Sequence, residues 1–111
     1  MDILFKTRRL ARDCADKRAL TRRWGQRMAE KIRARLDDLQ AAPTLATMRG
    51  LPGRCHELTG NRAGQLSLDL VHPYRLIFEP ADEPPPRKSD GGLEWEEVRA
   101  VRVLSVEDTH E

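Results

Sequence analysis

A set of cationic and imidazole side chains on or beside the predicted strands, Arg54, His56, Arg62, Arg75 and His110, has the chemistry to hold or cleave a phosphodiester. A guanidinium presents a planar fork of donors that matches phosphate oxygens, and an imidazole titrates near neutrality, where it can take or give a proton. Arg75 is the most informative. It alternates with Tyr74 and Leu76 on a strand that also carries Ile77, so it points away from that pair's face yet lies among apolar neighbours. An arginine so placed must be paired or must line a concave surface, because burial without a partner is costly. A structural ion pair with Asp69 or Glu79 is the plain alternative. His56 is the candidate general acid or base, against the alternative of an inert surface histidine. Arg62 lies in the turn Asn61-Arg-Ala-Gly64, where a loop can present a side chain to a phosphate. Together these residues suggest an RNA phosphate as the partner.

Other chemistries lack their signatures. The chain has no Gly-rich phosphate loop, no HExxH, no CxxC pair and no GxSxG elbow. His56, His72 and His110 are not at paired helical spacing, so no metal site and no cofactor is expected. Cys14 and Cys55 have no Cys or His nearby at ligand spacing and read as small buried apolar side chains.

The elements that must position these residues follow from the apolar periodicity. Residues 2–5 read as a first strand. Leu10, Ala11, Cys14 and Ala15 then recur at helical spacing, predicting a helix from Thr7 to about Ala19. Thr21 is expected to cap a second helix, whose stripe is Trp24, Met28, Ile32, Leu36 and Leu39 and which Pro43 ends. After the punctuation of Gly50-Leu-Pro-Gly53 the period becomes two. A short strand is expected around 54–58. Leu66, Leu68 and Leu70 form the next strand, and Tyr74, Leu76 and Phe78 the one after, joined as a hairpin through Val71-His-Pro73. Residues 80–92, rich in Pro, Gly and charge, predict a mobile loop. The last strand, about 96–106, has apolar residues on both faces and is expected as a central strand covered on two sides. The predicted fold is a single α+β domain of order β-α-α-β-β-β-β, a helical hairpin packed on a small, mostly antiparallel sheet.

Charge sharpens the partner class. The net charge of the 111 residues is only +2, but residues 1–54 hold 14 Lys and Arg against 6 Asp and Glu, and residues 55–111 hold 6 against 12. Such asymmetry points to a polyanion, or to an acidic partner, for the basic half. Arg23 and Arg27 on the second helix are candidate RNA contacts, the alternative being a merely solvated helix face. No apolar run approaches the roughly 20 residues of a membrane span, and no signal peptide is visible, so the expected location is the cytoplasm with no membrane partner.

The stretch Leu51-Pro-Gly-Arg-Cys-His-Glu-Leu-Thr-Gly-Asn-Arg-Ala-Gly-Gln-Leu-Ser-Leu-Asp-Leu-Val-His-Pro-Tyr-Arg-Leu-Ile-Phe78 resembles the central region of toxins of the RelE/ParE superfamily, in particular its HigB-like (plasmid maintenance killer protein) branch. The family pattern is Leu-Pro-Gly, then His-x-Leu-x-Gly, a basic turn, Gly-x-x-Ser-(Ile/Leu), and (Trp/Tyr)-Arg-(Ile/Leu)-x-Phe. It closes near a terminal His, here in Val106-Glu-Asp-Thr-His110. Two positions depart from it. Thr59 stands where the family often has Lys, and Thr109 stands where an aromatic or Asp commonly precedes the last His, with Asp108 shifted by one.

The resemblance implies a ribosome-dependent mRNA endonuclease, silenced by a cognate antitoxin of helix-turn-helix type. It implies attack of a ribose 2′-OH on the adjacent phosphate. On that reading Arg75 and Arg62 stabilise the charge of the transition state, His56 and His110 share the proton transfers, and Arg54 positions backbone phosphate. The competing readings are a ParE-like poison of DNA gyrase without RNA chemistry, and a non-toxic RNA- or ribosome-binding module. The arginine-rich helices could also dock an acidic segment of the antitoxin.

Overall fold

A computed structural model describes residues 1–108 of the protein. The chain runs β1 (Asp2–Phe5), α1 (Arg8–Ala15), α2 (Lys17–Trp24), α3 (Gln26–Ala41), β2 (His56–Glu57), β3 (Leu66–Asp69), β4 (Tyr74–Pro80) and β5 (Ala100–Asp108), with short 3-10 turns at Leu45–Gly50, Gly60–Arg62 and Trp95–Glu97. This is the expected α+β architecture, helices first and sheet after, with one helix more than predicted. The five strands lie in the order β1-β5-β4-β3-β2, with β1 parallel to β5 and every other pairing antiparallel.

The extra helix arises from local chemistry that periodicity does not register. Thr7 caps α1 by accepting from the Leu10 amide at 3.1 Å, and Asp16 caps α2 by accepting from the Arg18 amide at 2.9 Å. Thr21 is therefore no cap: its hydroxyl bonds back to the Lys17 carbonyl at 2.8 Å within α2. Gly25, at φ +85°, ends α2 and starts α3, a conformation that a side chain would strain. The stripe from Trp24 to Leu39 thus crosses a break after its first member.

One face of the sheet packs on the helices. Leu66, Leu68, Leu76, Phe78, Val101 and Val103 form a single buried cluster with Ile32, Leu36 and Leu39 of α3 and Leu20 of α2. Period-2 alternation sorts Leu66, Leu68, Leu76 and Phe78 onto one side, where burying each large apolar side chain is worth about 1.5–3 kcal/mol. The last strand begins later than expected, at Ala100, because residues 95–97 form a 3-10 turn whose Trp95 is buried. β5 is central, between β1 and β4, but covered on one side only: Val101 and Val103 are buried, whereas Ala100, Arg102 and Leu104 are half-exposed. Leu104 falls where the register with β4 slips between Ile77 and Phe78, so the bulge absorbs the residue that broke the alternation.

The Pro-rich segment after β4 contributes no buried residue but is locally bonded, with a bridge between Arg87 and Leu93. The Asp82 carboxylate accepts from the backbone amides of Arg99 and Ala100 at 3.1–3.3 Å, tying that segment to the start of β5. Among the described residues no helix is long and apolar enough to cross a membrane.

Candidate functional site

The face of the sheet turned away from the helices carries the chemistry. Cross-strand register puts Asp69, Arg75 and Glu107 in one row across β3, β4 and β5. The neighbouring row on that face is His56, Ser67, Ile77 and Ser105, across β2 to β5. Strand pitch alone fixes this placement, since residues two apart share a face and directly paired residues lie about 5 Å apart.

Arg75 therefore points away from Tyr74 and Leu76, as its alternation predicts. Its Nε lies 3.6 Å from Asp69 Oδ1, the first of the two ion-pair partners anticipated; Glu79 instead pairs with Arg102 at 2.8 Å. Asp69 is shared. Arg54 Nε donates to its Oδ2 at 2.5 Å and Arg54 Nη2 to its Oδ1 at 3.3 Å. The geometry of Arg54 is set by the Leu51-Pro-Gly53 turn. The Asp69 amide donates to the Gly53 carbonyl at 2.8 Å, and Arg54 then adopts a left-handed φ of +50°, rare outside glycine, which brings its side chain over β3.

Gly53 itself has φ +111°, and a Cβ there would meet Arg35 Nε at 2.8 Å and Leu68 Cδ2 at 2.9 Å. Arg35, buried on α3, donates to the Asp69 carbonyl at 2.9 Å. The backbone of Asp69 is thus held from the helical layer and from the turn at once.

His56 sits on the edge strand. Its Nδ1 is 2.7 Å from the Arg54 carbonyl, which can only accept, so Nδ1 carries the proton and the neutral ring keeps its free lone pair on Nε2. The strand is only two residues long, shorter than expected, and its next residue is anchored by Trp95, whose Nε1 donates to Glu57 at 2.9 Å. Arg62 reaches from the β2–β3 connection to β5, where its Nη2 donates to Glu107 Oε1 at 2.5 Å and its Nη1 to Oε2 at 3.4 Å. Ser105 Oγ also donates to Glu107.

Electrostatics follow from this pairing. Burial tends to raise the Asp69 carboxyl, but the Arg54 hydrogen bond and charge, with Arg75 and His56 behind them, hold it below the usual carboxylate range. Hydrogen bonds from Arg62 and then Ser105 do the same for Glu107. Both carboxylates are therefore fully ionised at neutral pH and neutralise much of the arginine charge. The cysteines are no nucleophiles: burial pushes the Cys14 thiol up to about 11 and the Cys55 thiol up to about 12.

Arg54, His56, Arg62 and Arg75 are thus gathered on one face. Arg23 and Arg27 are not among them, since both sit in the helical layer that covers the opposite face. Arg23 lies 3.9 Å from Asp13 and 5.7 Å from the Trp24 ring centre, and Arg27 borders a depression with Leu70, Val71 and His72. Thr59 is exposed just before the Gly60–Arg62 turn, and His110 and Thr109 lie outside the described residues. Sequence reasoning missed Glu107 as the partner of Arg62. It also missed Ser67, which is fully buried at the centre of this face with an Oγ that has no hydrogen-bond partner among the described residues. A serine midway along an apolar strand was the available signal.

No protein-family model and no curated protein matches the sequence. Solved structures do match in fold. The chain is similar to a YoeB/ParE toxin from Agrobacterium tumefaciens, with a TM-score of 0.59 at 16% identity over 99% of this chain and all of that one. It is similar as well to YoeB of Staphylococcus aureus, both in a YoeB–YefM complex (TM-score 0.56, 15% identity) and in a YoeB dimer (TM-score 0.57, 17% identity), in each case over the whole of this chain and 98% of the other. The fold is that of the YoeB/ParE toxins, across the full length of both partners.

Proposed function

From this toxin fold we propose that the chain is the toxin of a toxin–antitoxin pair, a member of the HigB-like branch of the RelE/ParE superfamily, and that it inhibits translation as a metal-independent endoribonuclease on ribosome-bound mRNA. The observation that carries the reading is the gathering of His56 with Arg54, Arg62 and Arg75 on the sheet face turned away from the helices. A charge-stabilising set of guanidinium groups beside an imidazole with a free nitrogen is what cleavage by an internal hydroxyl requires.

In that reaction the Nε2 lone pair of His56 takes the ribose 2′-OH proton as the oxygen attacks the adjacent phosphorus. Arg75 and Arg62 hold the charge that accumulates on the phosphate oxygens, and Arg54 holds the neighbouring backbone phosphate. The bond to the 5′-oxygen breaks, that oxygen takes a proton from His110, and the products are a 2′,3′-cyclic phosphate and a 5′-OH. Arg23 and Arg27 contact RNA away from the reacting phosphate. The partners are the ribosome with its mRNA and a cognate antitoxin of helix-turn-helix type; that YoeB, of the same fold, is found in complex with YefM supports a bound partner, whatever its type.

One observation favours a second reading, a ParE-like poison of gyrase: each of the three site arginines already has a carboxylate partner. Induction of the chain alone, beside the Arg75→Ala variant, with 5′-end mapping of transcripts separates the two. New cuts inside translated codons that vanish in the variant establish the nuclease. Growth arrest without cuts points to gyrase or another bound target, and no arrest at all leaves an inactive relative or a plain RNA- or ribosome-binding module.

A further inference from the structure

Five charged side chains around the sheet face turned away from the helices link as Arg54, Asp69, Arg75 on one side and Glu107, Arg62 on the other, with Arg75 and Glu107 paired in backbone register between them. Signs alternate along this chain. Asp69 serves two arginines at once, and Glu107 takes two bonds from one. A guanidinium whose fork is filled by a carboxylate is not vacant for a phosphate, and the carboxylates themselves repel one. The same contacts have a positive effect. They fix long side chains that would otherwise sample many rotamers, so the cations stand ready at one place.

We propose that Asp69 and Glu107 are positioning residues that hold the site arginines as a preformed frame and surrender them to an RNA backbone by exchange of carboxylate for phosphate. Asp69 and Glu107 are 29% and 32% exposed, so water can take up a released carboxylate, which a fully buried pair would not permit. The exchange sets a selective condition. A lone phosphate displaces one carboxylate and still meets the other, whereas a strand with successive phosphates can replace both together. The site then favours a polyanion over free phosphate, and its carboxylates limit affinity while they maintain geometry. This inference rests on the RNA reading of the site.

The test measures binding of a short 2′-O-methyl RNA oligonucleotide, which cannot supply the attacking hydroxyl, by fluorescence anisotropy. It compares the wild-type chain, Asp69→Asn, Glu107→Gln and Arg75→Ala, with inorganic phosphate as competitor and thermal unfolding of each variant in parallel. The isosteric amides keep an acceptor for the arginines and remove the charge. The expected result is about three- to tenfold tighter RNA binding for Asp69→Asn and for Glu107→Gln at low salt, with easier competition by phosphate. Cleavage of ribosome-bound mRNA at saturation should slow in the same variants, so that KM and kcat fall together, which a merely structural ion pair would not produce. The proposal is overturned if the wild type binds RNA and Arg75→Ala weakens that binding while both amide variants bind no more tightly than the wild type. If no form binds RNA, the RNA reading fails and the exchange falls with it.

Discussion

Two regions of the molecule are rich in arginine, and they treat it in opposite ways. On the sheet face Arg54, Arg62 and Arg75 each meet a carboxylate from another strand or loop. On α1 and α2 seven Lys and Arg face only Asp13 and Asp16. There Arg8, Arg9, Arg12, Lys17, Arg18 and Arg22 are exposed and make no ion pair with any described residue, and Asp16 is already engaged as a helix cap. The helical cations are a diffuse field that attracts a polyanion at a distance and without fixed geometry. The sheet cations are a small, oriented set whose net charge is low. Affinity can reside in the first and discrimination in the second, because unpaired charge attracts while paired charge is held in place.

The largest expected effect comes from the oriented set. Arg75→Ala should reduce mRNA cleavage by about 100-fold or more, the scale of losing one donor to a charged transition state, with the unfolding midpoint little changed. Cleavage within tenfold of the wild type would mean that the row on β3, β4 and β5 is not the reacting centre. Next is Gly53→Ala, which adds a Cβ at 2.8 Å from Arg35 Nε with φ +111° and should cost about 1–3 kcal/mol in denaturant unfolding, loosening Arg54 and Asp69 together. An unaffected midpoint would show that the turn is not what holds Arg54.

The carboxylates give a pH signature. Asp69 and Glu107 are held below their ordinary values in the folded state, so they stabilise it above the unfolded carboxylate range and that stability is lost as pH falls through their depressed values. Stability of the wild type should therefore decline in acid below about pH 4, and Glu107→Gln should show a shallower decline in thermal unfolding followed from pH 6 to pH 3. Parallel curves would mean that the Arg62 pair contributes nothing to folding. The smallest effect belongs to the diffuse set. Arg18→Ala with Arg22→Ala should shift stability by no more than about 0.5 kcal/mol and weaken RNA binding a few-fold, with a salt slope shallower by about one per charge lost. A loss as large as that of Arg75→Ala would make the helices, rather than the sheet face, the seat of specific contacts.

Much of this arrangement could be read before folding was considered. The alternation at Leu66, Leu68 and Leu70 and at Tyr74, Leu76 and Phe78 places Arg75 opposite the core, because strand pleat assigns faces by parity alone. The helical stripe identifies the layer that covers the other side. What parity cannot supply is distance. The break at Gly25 escaped because a single glycine interrupts a helix without disturbing the apolar period, and the start of β5 escaped because Val98, buried just after a 3-10 turn, keeps strand alternation with Ala100.

By itself, then, the sequence determined the α+β order and the faces of the central strands, which depend on local spacing, and the concentration of positive charge in the first half, which depends on composition alone. Only the tertiary structure decided that Arg54 reaches Asp69 through a left-handed turn, that Arg62 meets Glu107 across 45 residues, and that His56 holds its proton on Nδ1. Those pairings depend on cross-strand register and on one loop's dihedral angles. Register is set by the packing of the whole core rather than by any local pattern.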